Sequence, residues 1–315
     1  MTLPSSTPIL STLLDPAQTA ARLPYTRLVT ELARLLADAS VQVPPRLVQP
    51  LPGGGSLFVM PALDSLTAIV KLITFTPDNA DRGLPTIQGD VAVFDVVTGQ
   101  RKLVLDGPTV TARRTAAVSL LAAQRLAPCT HGPLLIVGAG VQGKAHLDAF
   151  AEGLPIKEVV IASRSLSSAQ RLAEYAQSLG LRARVAADAN AALADCPLTV
   201  TCTPAHGVVL SALPRNDAFI AAVGAFTPHM VELSPELCRH FAVHGTVVVD
   251  TADAAHEAGD LLQAGLEVAR FASLADVLHA ETFAVAGPVL FKSCGWAGWD
   301  LAAARTALTD PSKGK

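Results

Sequence analysis

Charge is scarce in this chain. Asp, Glu, Lys and Arg together make up 16% of the 315 residues, well below the roughly one quarter found in an ordinary soluble domain. With apolar residues at 50%, the composition excludes intrinsic disorder, which needs low hydrophobicity and high net charge. A membrane-spanning chain is excluded as well, because Asp, Lys, Arg or Pro interrupts every apolar run before the roughly 18 residues that a bilayer demands. Low charge therefore implies extensive hidden surface, a contact with a partner subunit included. No basic block occurs, and 24 Lys+Arg against 27 Asp+Glu leave a net charge of −3, so the phosphate attraction that holds nucleic acid has no source. The five cysteines, Cys129, Cys196, Cys202, Cys238 and Cys294, are scattered and never form Cys-x-x-Cys. That pattern excludes a disulfide framework and a zinc site, predicts no metal, and makes these residues small buried hydrophobes. The first residues, MTLPSSTPILSTLLDP, lack the cationic start and continuous apolar core of a signal peptide, so a cytoplasmic protein is expected.

At about 150 residues per domain the length predicts two domains. Residues 26–38 place Leu28, Val29, Leu32, Leu35 and Leu36 on one helical face, and 56–75 and 89–105 are β-rich runs bounded by Gly, Pro and Asp, so the front section reads as α+β. From about residue 116 the pattern changes. Apolar runs at 134–137, 158–161, 198–201, 218–223 and 246–249 alternate with helical segments, and uninterrupted apolar runs suit strands buried on both faces. The fold class expected is α/β, a Rossmann-type doubly wound parallel sheet beside an α+β domain. The last residues, PSKGK, read as a loose tail.

In LLIVGAGVQGKAH, Gly138, Gly140 and Gly143 form G-x-G-x-x-G between a buried strand and an Ala-rich helix. The first glycine permits a tight turn, the second lets the main chain approach a pyrophosphate, and the third lets helix and strand pack closely. Val141 and Gln142 open the helix whose positive end faces the diphosphate. A second strand ending about 20 residues later completes the context of a dinucleotide site. There, an NAD-selective site would carry an Asp or Glu for the ribose hydroxyls. This chain instead reads Ser163-Arg164-Ser165, a guanidinium flanked by hydroxyls that suits a ribose 2′-phosphate. The expected cofactor is NADPH, with NADH possible. Thr201, which ends the 198–201 strand, and Thr203, in the turn after it, are expected beneath the nicotinamide half.

Two further segments, GLPTIQGDVAVFDVVTGQRKLVLDGPTVTARRTAAVSLLAA over 83–123 and VLFKSCGWAGWDLAAA over 289–304, make a resemblance specific. With the glycine fingerprint between them, the chain resembles the ornithine cyclodeaminase and mu-crystallin family over nearly its whole length. The resemblance implies a homodimer in which residues 1–115 together with 290–315 form the dimerisation and substrate domain and 116–289 the NAD(P)-binding Rossmann domain. It also implies a small α-amino or α-imino acid held between them, with Arg46, Lys71, Thr86 and Arg114 matching the family's carboxylate-binding and positioning residues. Such a ligand offers little apolar surface, so its orientation must come from charge-assisted contacts. Arg113 points away from Arg114 at helical spacing and reads as solvated. Ser293 matches a family position near the nicotinamide, and Val223 and Gly224 are expected among the cofactor contacts.

One departure bears on the reaction. The family's cyclodeaminases follow the strand at 218–223 with a glycine pair, an aspartate that handles the amine proton and a lysine four residues later. Here VGAFTPHMVEL puts Phe226 in the aspartate's place and Met230 in the lysine's. Phe226 cannot exchange a proton, but it can wall an apolar ring. The variant resembles the family's ketimine reductase branch, which reduces 1-pyrroline-2-carboxylate to proline and 1-piperideine-2-carboxylate to pipecolate. On that basis the substrate is a cyclic imino acid and Lys71 the candidate catalytic residue. An ornithine cyclodeaminase or amino-acid dehydrogenase, and a crystallin-like protein that binds NADPH without catalysis, are the alternatives.

Overall fold

The computed structural model describes residues 13–204 and 206–309, and the expected loose tail lies outside them. The chain divides into two units, Met1–Arg114 with Trp296–Lys315, and Thr115–Gly295.

In the first unit, Asp15 and Gln18 form a capping box for α1 (Pro16–Ala21), which satisfies main-chain donors that a helix start leaves open. Helix α2 (Tyr25–Leu36) buries Tyr25, Leu28, Leu32 and Leu35, the three-and-four spacing of one helical face. Strands β1 (Leu47–Pro50), β2 (Ser56–Leu63), β3 (Thr67–Phe75), β4 (Ile87–Asp95) and β5 (Arg101–Asp106) follow in an antiparallel sheet of order β1-β2-β3-β4-β5. In β3 the burial alternates, with Thr67, Ile69, Lys71 and Ile73 inward, as side chains on a pleated strand must. The C-terminal helix, Ala297–Leu308, packs against β2 to β5 and α2. It is buried nearly all round, from Ala297 and Trp299 to Thr306 and Ala307, which explains its lack of a polar face. Helix α3 (Gly107–Leu126) starts in this unit and continues into the second.

The second unit is built on an eight-stranded parallel sheet. Its strands are β6 (Pro133–Val137), β7 (Glu158–Ala162), β8 (Arg182–Val185), β9 (Leu198–Thr201), β11 (Phe219–Ala222), β13 (Thr246–Val249), β14 (Ala272–Ser273) and β15 (Val289–Lys292), in the order β14-β13-β15-β11-β9-β6-β7-β8. A separate parallel pair joins β10 (His206–Leu210) to β12 (Val231–Leu233). Helices α4 (Val141–Gly153) and α5 (Leu166–Ser178) follow β6 and β7. The chain winds one way from β6 through β7 to β8 and the other way from β9 outward, so the order reverses between β6 and β9. Open α/β sheets bind ligands at that reversal, outside the carboxyl ends of the strands. Residues 290–295, expected with the dimerisation domain, belong to this unit instead. The reason is β15, which lies between β11 and β13 with all four residues buried. No helix among the described residues is long and apolar enough to cross a membrane, and they contain no cluster of metal-ligating side chains.

Candidate active site

In the first unit two of the expected cations meet on one carboxylate. Lys71, opposite Met60 and Val91 in the sheet, reaches across to the C-terminal helix, where its Nζ lies 2.6 Å from Asp300 Oδ2. Arg114 Nε donates to Asp300 Oδ1 at 3.1 Å. All three are buried, Asp300 completely. Asp300 sits in the first turn of its helix, where the helix dipole favours negative charge. Arg46, half-buried just before β1, adds positive charge around Lys71. Burial pushes the Lys71 ammonium down from the usual lysine value to about 8, with Arg114 and Arg46 repelling it and Asp300 holding it up. Two buried cations on one anion leave a positive site, an arrangement costly without an anionic ligand.

Thr86 is not brought to this cluster. It precedes β4 by one residue, whereas Lys71 pairs with Val91, so the two lie about 17 Å apart along the strand direction. Arg113 is not solvated as expected: its Nε donates to the Leu23 carbonyl at 2.7 Å and its guanidinium stacks 4.0 Å over the Tyr25 ring. Asp300 was not singled out from the sequence. Its signal is that it is the sole acid between 289 and 308, inside a helix with no polar face, where a charge must find a partner.

In the second unit the pairing register brings the strand ends level. Val137 pairs with Ala162 and Thr201, Thr201 with Ala222, and Ala222 with Lys292. Just beyond them, the Gly138 turn, Ser163 and Val223 line one edge. At about 4.8 Å per strand the edge from β7 to β11 spans about 14 Å. Gly138 has φ +113°, and a Cβ on it would lie 2.7 Å from the Cys202 carbonyl oxygen. At Gly143 a Cβ would lie 2.0 Å from the Gly138 carbonyl oxygen. The protein itself therefore requires these two glycines. Gly140 differs, since a Cβ there would meet nothing within 4 Å. It caps the start of α4 and faces open space beside the exposed Val141, with Gln142 half-buried behind it. A cradle that only a glycine leaves open at a helix start fits a diphosphate.

Arg164 is exposed beyond β7. Ser163 before it is half-buried, and the Ser165 hydroxyl caps α5 by accepting from the Ser168 amide. At the other end of the edge the hydroxyls are already engaged. Thr201 Oγ1 donates to Glu232 Oε2 at 2.9 Å, and Thr203 donates to Glu232 Oε1 from its amide at 2.7 Å and its hydroxyl at 2.8 Å. The buried Ser293 hydroxyl donates to Asp250 Oδ2 at 2.9 Å. These three side chains donate into the scaffold, because a buried carboxylate must gather donors. Gly224 also turns inward, its amide donating to Glu232 Oε2 at 2.7 Å. Phe226 stands 43% exposed after β11, with Val223 half-buried ahead of it. Among the cysteines, Cys196, Cys238 and Cys294 are buried and all five are free. Burial pushes the Cys196 thiol up to about 11 and the Cys238 thiol up to about 12, so neither is a nucleophile near neutral pH.

The chain is 42% identical over 314 residues to a Delta(1)-pyrroline-2-carboxylate reductase of Burkholderia multivorans, covering 98% of this chain and 97% of that one. It is 40% identical to the Delta(1)-pyrroline-2-carboxylate/Delta(1)-piperideine-2-carboxylate reductase of Azospirillum brasilense, covering 93% and 94%. Among solved structures, the Delta(1)-pyrroline-2-carboxylate reductase of Thermococcus litoralis in complex with NADH and L-proline superposes with a TM-score of 0.84 at 25% identity, over 94% of this chain and 96% of that one. A family model matches residues 23–313, and the chain belongs to the ornithine cyclodeaminase/mu-crystallin family.

Proposed function

We propose that the protein is an NADPH-preferring reductase of cyclic 2-imino acids, forming L-proline from 1-pyrroline-2-carboxylate and L-pipecolate from 1-piperideine-2-carboxylate. The observation that carries this reading is the buried Lys71–Asp300–Arg114 cluster, a positive site built to take a small carboxylate. Phe226 favours reduction over deamination, since a phenyl ring at that position cannot handle an amine proton.

A reduced nicotinamide dinucleotide, when bound, supplies the hydride. Gly140 and the start of α4 would hold its diphosphate, and the exposed Arg164 would be the residue that takes the ribose 2′-phosphate. Arg114 and Arg46 hold the substrate carboxylate, which replaces the long-range repulsion between cations with charge-assisted bonds. Lys71 would give the imine nitrogen its proton, which with the hydride supplied to carbon 2 would turn C=N into CH–NH. An ammonium poised near pH 8 gives up its proton more readily than an ordinary lysine. Asp300 keeps that proton in place until the substrate takes it. Phe226 offers the methylene ring an apolar surface. Incubating the protein with NADPH and each ketimine, and following absorbance at the nicotinamide band, tests the proposal; no turnover of either by folded protein overturns it.

Two variants test the cofactor site. Gly140→Ala is expected to leave thermal stability unchanged and to weaken NADPH binding by about tenfold or more, because the added methyl occupies only the ligand's space. Gly143→Ala, which would collide with main chain, is expected to lower the melting temperature as well. Loss of stability in both would show that the cradle serves the fold alone. For Arg164→Ala the preference for NADPH over NADH is expected to fall by roughly ten- to a hundredfold, the worth of one charged hydrogen bond, and an unchanged ratio of Michaelis constants would remove the assignment.

The second face of the five-stranded sheet supports a homodimer. One face is covered by the C-terminal helix; on the other, Leu47 and Leu72, which share that face through Val59, are 57% and 43% exposed. An apolar sheet face of this kind marks an association surface, and a second copy of the chain fits the scarcity of charge. Light scattering should return about twice 32.6 kDa, and the monomer mass at micromolar concentration would contradict the assignment.

A further inference from the structure

Glu232 lies away from the carboxylate-binding cluster in sequence and is fully buried. Its four acceptor positions are filled. Oε2 takes the Thr201 hydroxyl at 2.9 Å and the Gly224 amide at 2.7 Å, and Oε1 takes the Thr203 amide at 2.7 Å and the Thr203 hydroxyl at 2.8 Å. Two main-chain amides and two hydroxyls converging on it, with the Lys292 ammonium nearby, are the surroundings that suit a carboxylate. Burial pushes its pKa up, and the Lys292 ammonium and the Thr203 donors oppose that push.

The carboxylate ties together the turns after two neighbouring strands, β9 and β11. The approach is so close that a Cβ on Gly224 would lie 2.4 Å from Glu232 Oε1. Beneath it lies a second carboxylate. Asp260 Oδ1 accepts the amides of Glu232 at 2.6 Å and Leu233 at 2.9 Å, while its Oδ2 pairs with Lys292 Nζ at 2.9 Å. Lys292 in turn donates to the carbonyls of Ala222 at 3.3 Å and Ala225 at 2.5 Å. Burial works against this ammonium, but Asp260, Cys294 and Glu232 outweigh it and hold its pKa above the ordinary lysine value. Two carboxylates thus face one ammonium, and the buried group carries one net negative charge.

We propose that Glu232 is a positioning residue for the nicotinamide: it fixes the two turns that floor the ring, and its uncompensated charge favours the oxidised, cationic ring over the reduced, neutral one. This rests on the reading that the crevice holds a nicotinamide dinucleotide. A hydride donor becomes positive as it reacts, so a fixed negative charge beneath it acts where charge develops. Uncharged residues of similar size would fill the same space without the desolvation cost of an ion.

The test is binding. At an effective dielectric of about 20, a unit charge acting over about 10 Å changes affinity by about tenfold. Glu232→Gln keeps the size and the Thr203 acceptor but removes the charge. In the full-length protein it is expected to weaken NADP+ by about tenfold relative to NADPH, and to leave 2′-phospho-ADP-ribose, which lacks the ring, at wild-type affinity. Its kcat should fall while the KM for the imine holds. Asp260→Asn, which touches neither turn, removes the same unit of charge and should shift the NADP+ to NADPH ratio in the same direction; it reads the charge if the first variant does not fold. An unchanged ratio in a folded variant overturns the inference, as does equal weakening of all three ligands, which is what a purely structural role produces. Wild-type protein that binds neither form of the cofactor would instead refute the dinucleotide reading.

Discussion

Replacing Lys71 with alanine is expected to lower kcat/KM for a cyclic 2-imino acid by about a thousandfold, within the range that a positioned proton donor supplies. Two contributions combine. The substrate loses an ammonium that shares its carboxylate site, and the imine nitrogen loses its proton source. NADPH affinity should stay within about twofold, because the phosphate cradle lies in the other unit. The pH dependence carries further information. With the Lys71 value at about 8, the protonated donor predominates below that pH, so wild-type kcat/KM should decline as pH rises through about 8. In the variant that decline should disappear. A loss of less than tenfold, or a wild-type profile flat up to pH 9, would remove Lys71 from proton transfer.

Asp300→Asn should be the most damaging single change to stability at the site. The carboxylate is fully buried and is the shared partner of Lys71 and Arg114; taking one partner from a buried ion group costs about 3–5 kcal/mol. The pH sign follows from Lys71. Its folded-state pKa is already depressed, and losing Asp300, which holds it up, depresses it more. A lysine with a lowered folded-state value penalises folding while protonated, and that penalty is relieved as pH rises through the folded value towards the unfolded one. The destabilisation measured by urea unfolding should therefore be larger at pH 7 than at pH 9, and the activity profile should move to lower pH. Equal stability of the two proteins at pH 7 would show that the cluster is not held as described.

Much of this architecture is legible in the sequence where a single physical signal governs a short segment. The apolar runs at 134–137, 158–161 and 198–201 became β6, β7 and β9 because strands buried on both faces are written as largely continuous apolar and β-branched runs. The glycine spacing located the cradle, and the structure separates its members, with Gly138 and Gly143 answering to the chain itself and Gly140 to open space. What escaped was long-range. Strand β15 ends in Lys292, and nothing in the local sequence names Asp260 or the Ala222 carbonyl as its partners. Thr201, Thr203 and Ser293 sit at the expected edge, but nothing in their spacing reveals that Glu232 and Asp250 draw their hydroxyls inward. Asp300 lies 229 positions from Lys71 in a chain whose local pattern says only that its helix is buried. Partners of this kind are set by tertiary packing, and a charge in an apolar segment announces that a partner exists without saying which.

The most direct test of the account is an initial-rate comparison of 1-pyrroline-2-carboxylate, 1-piperideine-2-carboxylate and ornithine with NADPH, NADH and their oxidised forms, with chiral analysis of the products. Oxidation of NADPH faster than NADH with both ketimines, formation of L-proline and L-pipecolate, and no ammonia from ornithine are expected. Ammonia released from ornithine, or no reduction of either ketimine by protein that binds NADPH, would contradict it.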